Sequence, residues 1–203
     1  VNYSENAFVT GTETLPYLNI IIGKTNRRAY YCMGTGTTAL FFLYQVQAGE
    51  EDTDGISMAG AISLNGNMIA DEKGYPAPVS FAPIINKGKI QIDAIAPFIK
   101  TIGLPANKMY RSEDSLSFIV TFSKPVFVAK RDTVFLALRI GSQQKKLAHQ
   151  RNQNLFQLLF SYRIQTGDLD KNGVSMGTSL SAADNSLQDS IGNQATLTYA
   201  AGL

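Results

Sequence analysis

The chain has 203 residues, of which 44% are hydrophobic and 17% are charged, and its formal net charge is +2 at pH 7. This composition is typical of globular domains and excludes an intrinsically disordered chain. The small net charge does not favour a nucleic-acid partner, and no run of about 18 apolar residues predicts a membrane span. Val1 does not open a signal segment, and we expect the chain to be a piece of a longer polypeptide.

Alternation of apolar and polar residues predicts half-buried strands along the chain. The pattern occurs at 40–46, and again at 116–122, 135–140 and 158–164. Gly, Pro, Asn and Asp residues interrupt it at short intervals, for example at the exposed hairpin tip predicted for 86–89. No segment combines sustained helical periodicity with a cap and a stop. Several short strands with regular turns predict an antiparallel β-sandwich.

The second half of the chain repeats the first half at an offset of 118 residues. Residues 40–79 align without a gap to residues 158–197, and about a third of the aligned positions are identical. A period above about 100 residues corresponds to a whole domain, whereas solenoid repeats have periods of about 20 to 50 residues. We therefore predict two modules, residues 1–92 and 93–203, with the linker at 92–97.

The first module is incomplete at its start. Residues 1–4 align with residues 120–123 at an offset of 119, so counterparts of the residues from the linker to about Ile119 do not occur in the chain. A sandwich without an edge strand exposes unpaired backbone groups and apolar core. Either the chain is a truncated or proteolysed fragment, or a strand is donated in trans by a neighbouring chain or through a swapped homo-oligomer.

Three motifs follow one another in the second module: Leu-x-Phe-x-Val-x-Phe-Ser-x-Pro-Val at 116–126, Phe-x-Tyr-x-Ile-Gln-x-Gly-Asp-x-Asp at 160–170 and Leu-x-Asp-x-x-Gly-Asn-x-Ala at 187–195. The first module carries Ile22-Gly23 and the segment 44–49 at matching places. In order and spacing these motifs resemble the tandem immunoglobulin-like repeats of large bacterial surface proteins and adhesins.

The resemblance implies an all-β fold of two tandem antiparallel immunoglobulin-like β-sandwiches, the first lacking its N-terminal strand or strands. It implies extracellular or cell-surface stalk and spacer modules that neighbour further repeats, with calcium sometimes stiffening the array, and it implies no enzymatic activity. Two alternatives stay open: a module that binds a glycan or host protein, and accessory domains of a larger secreted enzyme.

Two aligned acidic loops, 50–55 and 168–173, carry oxygen ligands at alternate positions, the arrangement that suits calcium. The candidate calcium ligands are Glu50, Asp52, Asp54, Asp168, Asp170 and Asn172. A hand-type site is excluded because Ala61 and Ser179 replace its final glutamate, so further ligands would come from Asp71, Asp189 or Asp93. Alternatively, these residues form tight turns in which carboxylates cap backbone N–H groups.

Basic residues cluster at equivalent places in both modules, and either they are solvated hairpin charges or they bind an anionic polymer: Lys24, Arg27, Arg28, Lys145, Lys146 and Arg151. Tyr44 and Tyr162 share a face with apolar residues and are predicted core positions whose hydroxyls reach nearby backbone. Cys32 and His149 have no counterparts in the other module, and neither has the partners that a nucleophile or a zinc site needs.

Overall fold

A computed structural model describes residues 1–11, 14–86, 88–130 and 132–199. Lys87, at the predicted hairpin tip, and the last residues of the predicted second module lie outside the described residues. The described chain is all-β, with no helix and 53% strand, and its sheets are antiparallel, as the alternating sequence predicts. No helix in these ranges is long and apolar enough to cross a bilayer. The chain forms two compact units, Val1–Ile95 and Ala96–Leu203.

Within its described residues the first unit contains ten strands: β1 Asn2–Thr10, β2 Tyr17–Ile22, β3 Thr25–Met33, β4 Thr37–Ala39, β5 Phe41–Leu43, β6 Glu51–Asp52, β7 Ser57–Ser63, β8 Met68–Ala70, β9 Ile84–Ile85 and β10 Ile92–Asp93. Five of them form a sheet in the order β5-β3-β2-β7-β9, and three form a sheet in the order β4-β1-β8. Strands β10 and β6 pair separately.

The described part of the second unit contains eight strands: β11 Ile99–Gly103, β12 Ser115–Phe122, β13 Phe127–Val128, β14 Val134–Ile140, β15 Gln143–Asn154, β16 Gln157–Arg163, β17 Ser175–Ala182 and β18 Leu187–Gln188. Six form a sheet in the order β11-β12-β16-β15-β14-β17, and β13 pairs with β18. Alternate residues of β12, β14 and β16 point into one core, where Phe118, Phe160 and Leu136 are almost fully buried.

Strand registers in the two units correspond at the 118-residue offset. The β2–β3 hairpin pairs Ile22 with Thr25, and the β14–β15 hairpin pairs Ile140 with Gln143. The neighbouring pairs β2–β7 and β14–β17 match Ile20 to Met58 and Leu138 to Met176. The strand pairs β2–β7 and β14–β17 both contain a register shift, between Leu18 and Ile20 in the first and between the aligned Leu136 and Leu138 in the second. Such a shift is the local effect of a β-bulge.

The segment predicted as the linker begins inside the first unit. Strand β10 pairs with β6, and the Ala94 N–H donates to the Glu50 carbonyl at 2.7 Å. The Gly49 N–H returns a bond to the Ala94 carbonyl at 2.7 Å. These bonds hold residues 92–94 against the acidic loop, and the first compact unit extends to Ile95, within the predicted linker.

The edges of the two main sheets differ. In the second unit β12 covers the outer edge of β16 and pairs Phe118 with Phe160. At the 118-residue offset, β5 of the first unit aligns with residues 159–161 of β16. Among the described residues β5 pairs only with β3. Val46 is accordingly 45% exposed, whereas its counterpart Ile164 is 8% exposed.

One buried tyrosine hydroxyl in each unit lacks a hydrogen-bond partner within the described ranges, Tyr3 in the first and Tyr199 in the second. Both rings pack against their cores, and the aligned residues are Phe122 and Phe81. We expect Tyr3→Phe and Tyr199→Phe each to raise the free energy of unfolding of its unit by about 1 kcal/mol, because an unpaired buried hydroxyl is costly. Urea unfolding followed by hydrogen exchange in each unit measures this change.

Tyr44→Phe is the matched control, because its hydroxyl donates to a carboxylate and its removal should lower stability. A loss of stability in Tyr3→Phe or Tyr199→Phe would contradict the prediction.

Candidate functional site

Each acidic loop lies against the turn of the neighbouring hairpin. Gly23 forms the β2–β3 turn and Gly141 the β14–β15 turn, both with φ of 57°. A Cβ atom on Gly23 would lie 2.7 Å from the Glu51 carbonyl oxygen, and one on Gly141 would lie 2.5 Å from that of Leu169. The left-handed backbone and this close approach both require glycine. Gly23 and Gly141 therefore allow the loop to contact the hairpin turn at these positions.

In the first unit the loop buries the carboxylate of Glu50, which is 7% exposed. Its Oε1 atom accepts hydrogen bonds from the Tyr44 hydroxyl at 2.6 Å and from Arg27 Nε at 2.5 Å. The Oε2 atom accepts the backbone N–H of Gln47 at 2.8 Å. A hydroxyl, a main-chain amide and a cation from the next hairpin therefore converge on one carboxylate.

Asp168 has the same role in the second unit, and its side chain is 5% exposed. Its Oδ2 atom accepts the Tyr162 hydroxyl at 2.8 Å and the Gln165 N–H at 2.9 Å. Its Oδ1 atom lies 3.2 Å from Lys145 Nζ. All four residues occupy positions 118 residues after those of the first network.

The second carboxylate of each loop joins the loop to the hairpin turn. Asp52 Oδ2 accepts the Gly23 N–H at 2.7 Å, and Asp52 Oδ1 accepts the Gly55 N–H at 2.7 Å. Asp170 Oδ2 accepts the Gly141 N–H at 2.6 Å. Hydrogen bonds from two separate segments to one carboxylate fix the loop on the hairpin.

These contacts keep the buried carboxylates charged. Burial alone would raise the pKa of Glu50, but bonds from Tyr44, Gln47 and Arg27 outweigh it and hold this pKa below its ordinary value. The Gln165 N–H is the main cause of the lowered pKa of Asp168, and burial opposes it. Both carboxylates are therefore ionised at neutral pH and attract the neighbouring cations.

The remaining candidate calcium ligands do not converge with these carboxylates. Asp54 and Asn172 are exposed, and the Asn172 N–H donates to Asp170 Oδ1 at 3.0 Å. Among the described residues no group of three or more His, Cys, Asp or Glu side chains could hold a metal ion. Arg27 and Lys145 also contact the buried carboxylates, where a calcium ion would experience charge repulsion. Calcium binding stays one of two alternatives, and the other is turn capping by the same carboxylates.

The carboxylates proposed to complete the calcium site cap turns of their own. Asp71 Oδ1 accepts the N–H groups of Lys73 and Tyr75 at 2.9 and 2.8 Å. Asp189 Oδ1 accepts the N–H groups of Ile191 and Asn193, which align with Lys73 and Tyr75, at 3.1 and 2.9 Å. Asp93 Oδ1 accepts the Ile95 N–H at 3.1 Å. The observed contacts are those of the turn interpretation.

Four of the six basic residues lie on strand β3 or its counterpart β15 and contact side chains of other residues: Arg27, Arg28, Lys145 and Lys146. Arg28 lies 4.5 Å above the Tyr17 ring, and Lys146 lies 3.8 Å above the Phe135 ring at the aligned position. Arg27 and Lys145 form ion pairs with the loop carboxylates. These contacts together explain why two consecutive basic residues occur at aligned positions, 27–28 and 145–146. The interpretation as purely solvated charges at a hairpin tip was wrong for these four residues. The predicted contact of the Tyr44 and Tyr162 hydroxyls with backbone was also wrong, because both donate to carboxylates.

His149 lies on β15 with its ring edge-to-face on Phe160, at 6.1 Å between ring centroids. Its Nε2 atom is buried and has no hydrogen-bond partner within the described ranges, and burial lowers the pKa of this imidazole. Tyr31 occupies the aligned position and contacts Phe42 in the same geometry at 6.0 Å. The histidine therefore fills an aromatic core position.

We expect the stability of the second unit to fall as the pH drops through about 6.5, because the unfolded chain then protonates His149 more readily than the folded chain does. His149→Tyr, the residue of the first unit, removes this fall between pH 7 and about 5. Urea unfolding over a pH series measures it. An unchanged pH slope in the variant would contradict the prediction, since the chain contains no other histidine.

A cavity of about 540 Å³ opens at one end of the second unit, between the 104–110 segment and the acidic loop. Its floor is apolar and includes Leu116, Phe118 and Ile164, and its rim includes Lys108 and Lys171. Cavities of this size hold small molecules in other proteins. Sequence patterns did not indicate it, because an unpatterned loop forms one of its walls.

Comparison with known proteins identifies no relative: the chain matches no family model, no curated protein and no solved structure.

Proposed function

We propose that this chain is a non-catalytic structural spacer from a bacterial cell-surface or secreted adhesin, made of two tandem immunoglobulin-like modules that act outside the cell. The observation that carries the proposal is the duplicated carboxylate network. Glu50 and Asp168 bind equivalent tyrosine, amide and cationic partners in two separate compact units. A spacer needs the same stable unit several times, and this network stabilises each unit by its own contacts.

The acidic residues are arranged for stability instead of acid–base chemistry. A general acid or base needs a pKa near the working pH. The pKa values of Glu50 and Asp168 are both lowered, and their oxygens accept bonds from groups that belong to the fold. In this proposal the acidic loops join neighbouring strands, and Arg27 and Lys145 neutralise the buried carboxylates of these loops.

Single-molecule pulling on the two ends of the chain tests the proposal. We expect two separate unfolding events, each releasing roughly 3.5 Å per residue of its unit, because the two units have separate cores. Unfolding at forces no larger than those that stretch a disordered chain would overturn the proposal.

The second candidate is a ligand-binding module, favoured by the cavity in the second unit. Its ligand would be a glycan or a segment of a host protein held between the apolar floor and the lysine-bearing rim. Saturable binding on a glycan or protein array that Lys108→Glu, a substitution at the rim, weakens would replace the spacer proposal. Accessory domains of a larger secreted enzyme would give the same pulling result as a spacer, and the intact mass of the parent protein separates these two roles.

A further inference from the structure

Charge is divided unequally between the two compact units. Residues 96–203 contain 12 Lys and Arg residues against 7 Asp and Glu residues, a formal net charge of +5. Residues 1–95 contain 6 against 9, a formal net charge of −3, so the small charge of the whole chain conceals this asymmetry. Asymmetry of this kind between two halves of a chain is typical of proteins whose basic part binds an acidic partner.

The positive charge of the second unit is concentrated on its six-stranded sheet. The strands of this sheet contain no Asp or Glu, whereas six of their residues are Lys or Arg: Lys100, Arg139, Lys145, Lys146, Arg151 and Arg163. Lys145 and Arg163 pair with carboxylates that lie outside these strands. Among the described residues, Arg139, Lys146 and Arg151 form no ion pair.

These three side chains are exposed and lie on the outer face of the sheet. Arg139 and Lys146 each lie next to a buried leucine, and successive side chains of a strand point to opposite faces. Arg151 pairs with Leu159, which precedes the buried Phe160, so it points the same way. Arg151 follows Lys146 by five residues, roughly 17 Å of extended chain. The charges therefore form a row longer than one saccharide unit.

Protection of a sheet edge does not explain this row. Charged residues on an edge strand prevent aggregation, but β14 and β15 are internal strands, and the edge strand β17 contains no charged residue. The fold does not require the charges either, because Ile21 and Met33 of the first unit align with Arg139 and Arg151. The row is therefore a surface property of the second unit.

One carboxylate lies close to the row. The pKa of Asp170 is lowered chiefly by the Gly141 N–H, and Arg139 makes the smallest contribution to this lowering. Asp170 is thus bound mainly by backbone groups, and it offsets only part of the positive charge of the row.

A groove of about 510 Å³ adjoins the row where β14 lies between β15 and β17. It is lined by small residues such as Ala137 and Gly177 and by the polar side chains of Arg139 and Gln144. The Arg139 Nε–H donates to the Gly141 carbonyl at 3.0 Å, which orients the guanidinium at the groove. A guanidinium offers paired donors to a carboxylate or sulfate, and an amide side chain bonds to hydroxyl groups.

We propose that the outer face of this sheet binds an anionic polysaccharide, a sugar chain bearing carboxylate or sulfate groups, with one acidic group in the groove at Arg139 and others at Lys146 and Arg151. Charge complementarity selects a polyanion, and Gln144 beside the charges suits its hydroxyl groups. This activity goes beyond the spacer role, because it attaches the second unit to a surface or matrix polymer.

Nucleic acid fits this face less well. Proteins that bind single strands stack the bases on exposed aromatic side chains. Among the described strand residues of the outer face the aromatic one is Phe135, and Lys146 Nζ lies 3.8 Å above its ring. The face therefore offers charges and hydrogen-bonding groups without a stacking platform.

The test titrates the full chain with fluorescently labelled heparin oligosaccharides and oligogalacturonates, and with neutral dextran, in about 0.05 M salt. We expect saturable binding of an anionic probe, none of dextran, and weaker binding as added salt screens the charges. Amide NMR of the wild type with the bound probe should show shifts in β14 and β15 and none in the first unit.

Two variants with the same net charge separate the row from general electrostatic attraction. Arg139→Gln combined with Arg151→Gln should weaken binding roughly fivefold, since each exposed ion pair contributes up to about 1 kcal/mol. Lys108→Gln combined with Lys130→Gln removes two charges from loops outside the sheet and should change the affinity less than about twofold.

The inference is overturned if neither anionic probe binds saturably, if dextran binds equally well, or if the two double variants weaken binding equally. Weakening by the Lys108 and Lys130 variant alone would assign the ligand to the cavity at the end of the unit. Tighter binding of single-stranded or duplex DNA at the same salt would assign the face to nucleic acid and also overturn it. If a variant fails to fold, the amide shifts of the wild type decide. None of these outcomes alters the pulling result that tests the spacer function.

Discussion

We expect Asp168→Ala to lower the free energy of unfolding of the second unit by about 3 kcal/mol and to leave the first unit unchanged. The substitution removes the acceptor of the Tyr162 hydroxyl and the Gln165 N–H, and it leaves Lys145 without its ion-pair partner. Losing a buried charged acceptor costs more than losing a neutral one, since the donors stay unpaired. Hydrogen exchange during urea unfolding separates the two units.

Two matched variants show which part of the network matters. Glu50→Ala should have the corresponding effect on the first unit alone, because its partners are Arg27, Tyr44 and Gln47. Asp168→Asn keeps a hydrogen-bond acceptor and removes only the charge, so it should lower the free energy of unfolding of the second unit by less than Asp168→Ala does. An effect of either alanine variant on both units, or on neither, would contradict the account of two separate networks.

The contribution of the Asp168 charge also depends on pH. Its folded-state pKa is lowered, so its stabilising contribution is fully present above the ordinary carboxyl pKa of about 3.9 and is lost as the pH falls through the folded value. The difference in stability between the wild type and Asp168→Asn should therefore shrink in acid.

We expect Phe160→Ala to lower the stability of the second unit by about 4 kcal/mol, and Phe42→Ala to lower that of the first unit by about half as much. Phe160 is fully buried, with Phe118 opposite it on β12, whereas Phe42 occupies the aligned position on the open-edged β5 and is only half-buried. Large-to-small substitutions cost most where the surrounding core cannot relax or admit water. Hydrogen exchange of β16 and β3 measures both losses.

Equal losses at Phe160 and Phe42 would contradict this prediction, because the two side chains differ in burial.

Sequence patterns predicted the strands well because alternation is a local signal. Strand β12 buries Leu116, Phe118, Val120 and Phe122 in the predicted alternation. Ile92 and Asp93 precede a proline-containing segment, so the sequence predicts a linker there, and the two compact units divide within that linker, after Ile95. The pairing of Ile92 and Asp93 with Glu51 and Asp52 is a long-range contact that no local pattern reports.

The carboxylate networks were predicted only in part, for the same reason. Turn capping by Asp52 was inferred from local turn chemistry, but Arg27 is separated from Glu50 by 23 positions, and no spacing rule connects them. Comparison of positions 118 residues apart could have identified this network. Gly23, Arg27, Tyr44 and Glu50 all have chemically equivalent residues 118 positions later, and residues that recur together at one offset are candidates for one contact network.

The most direct test of the claim that the acidic loops are structural caps is an amide NMR titration with calcium to about 10⁻² M, above the 10⁻⁴–10⁻³ M affinities of extracellular calcium modules. The N–H groups of Gly23, Gly55 and Gln47, and of Gly141 and Gln165, donate to the loop carboxylates. We expect these amides to exchange slowly before calcium is added and to keep their chemical shifts throughout. Saturable shifts of these amides with added calcium would show that the carboxylates exchange their caps for a metal, and would contradict the account.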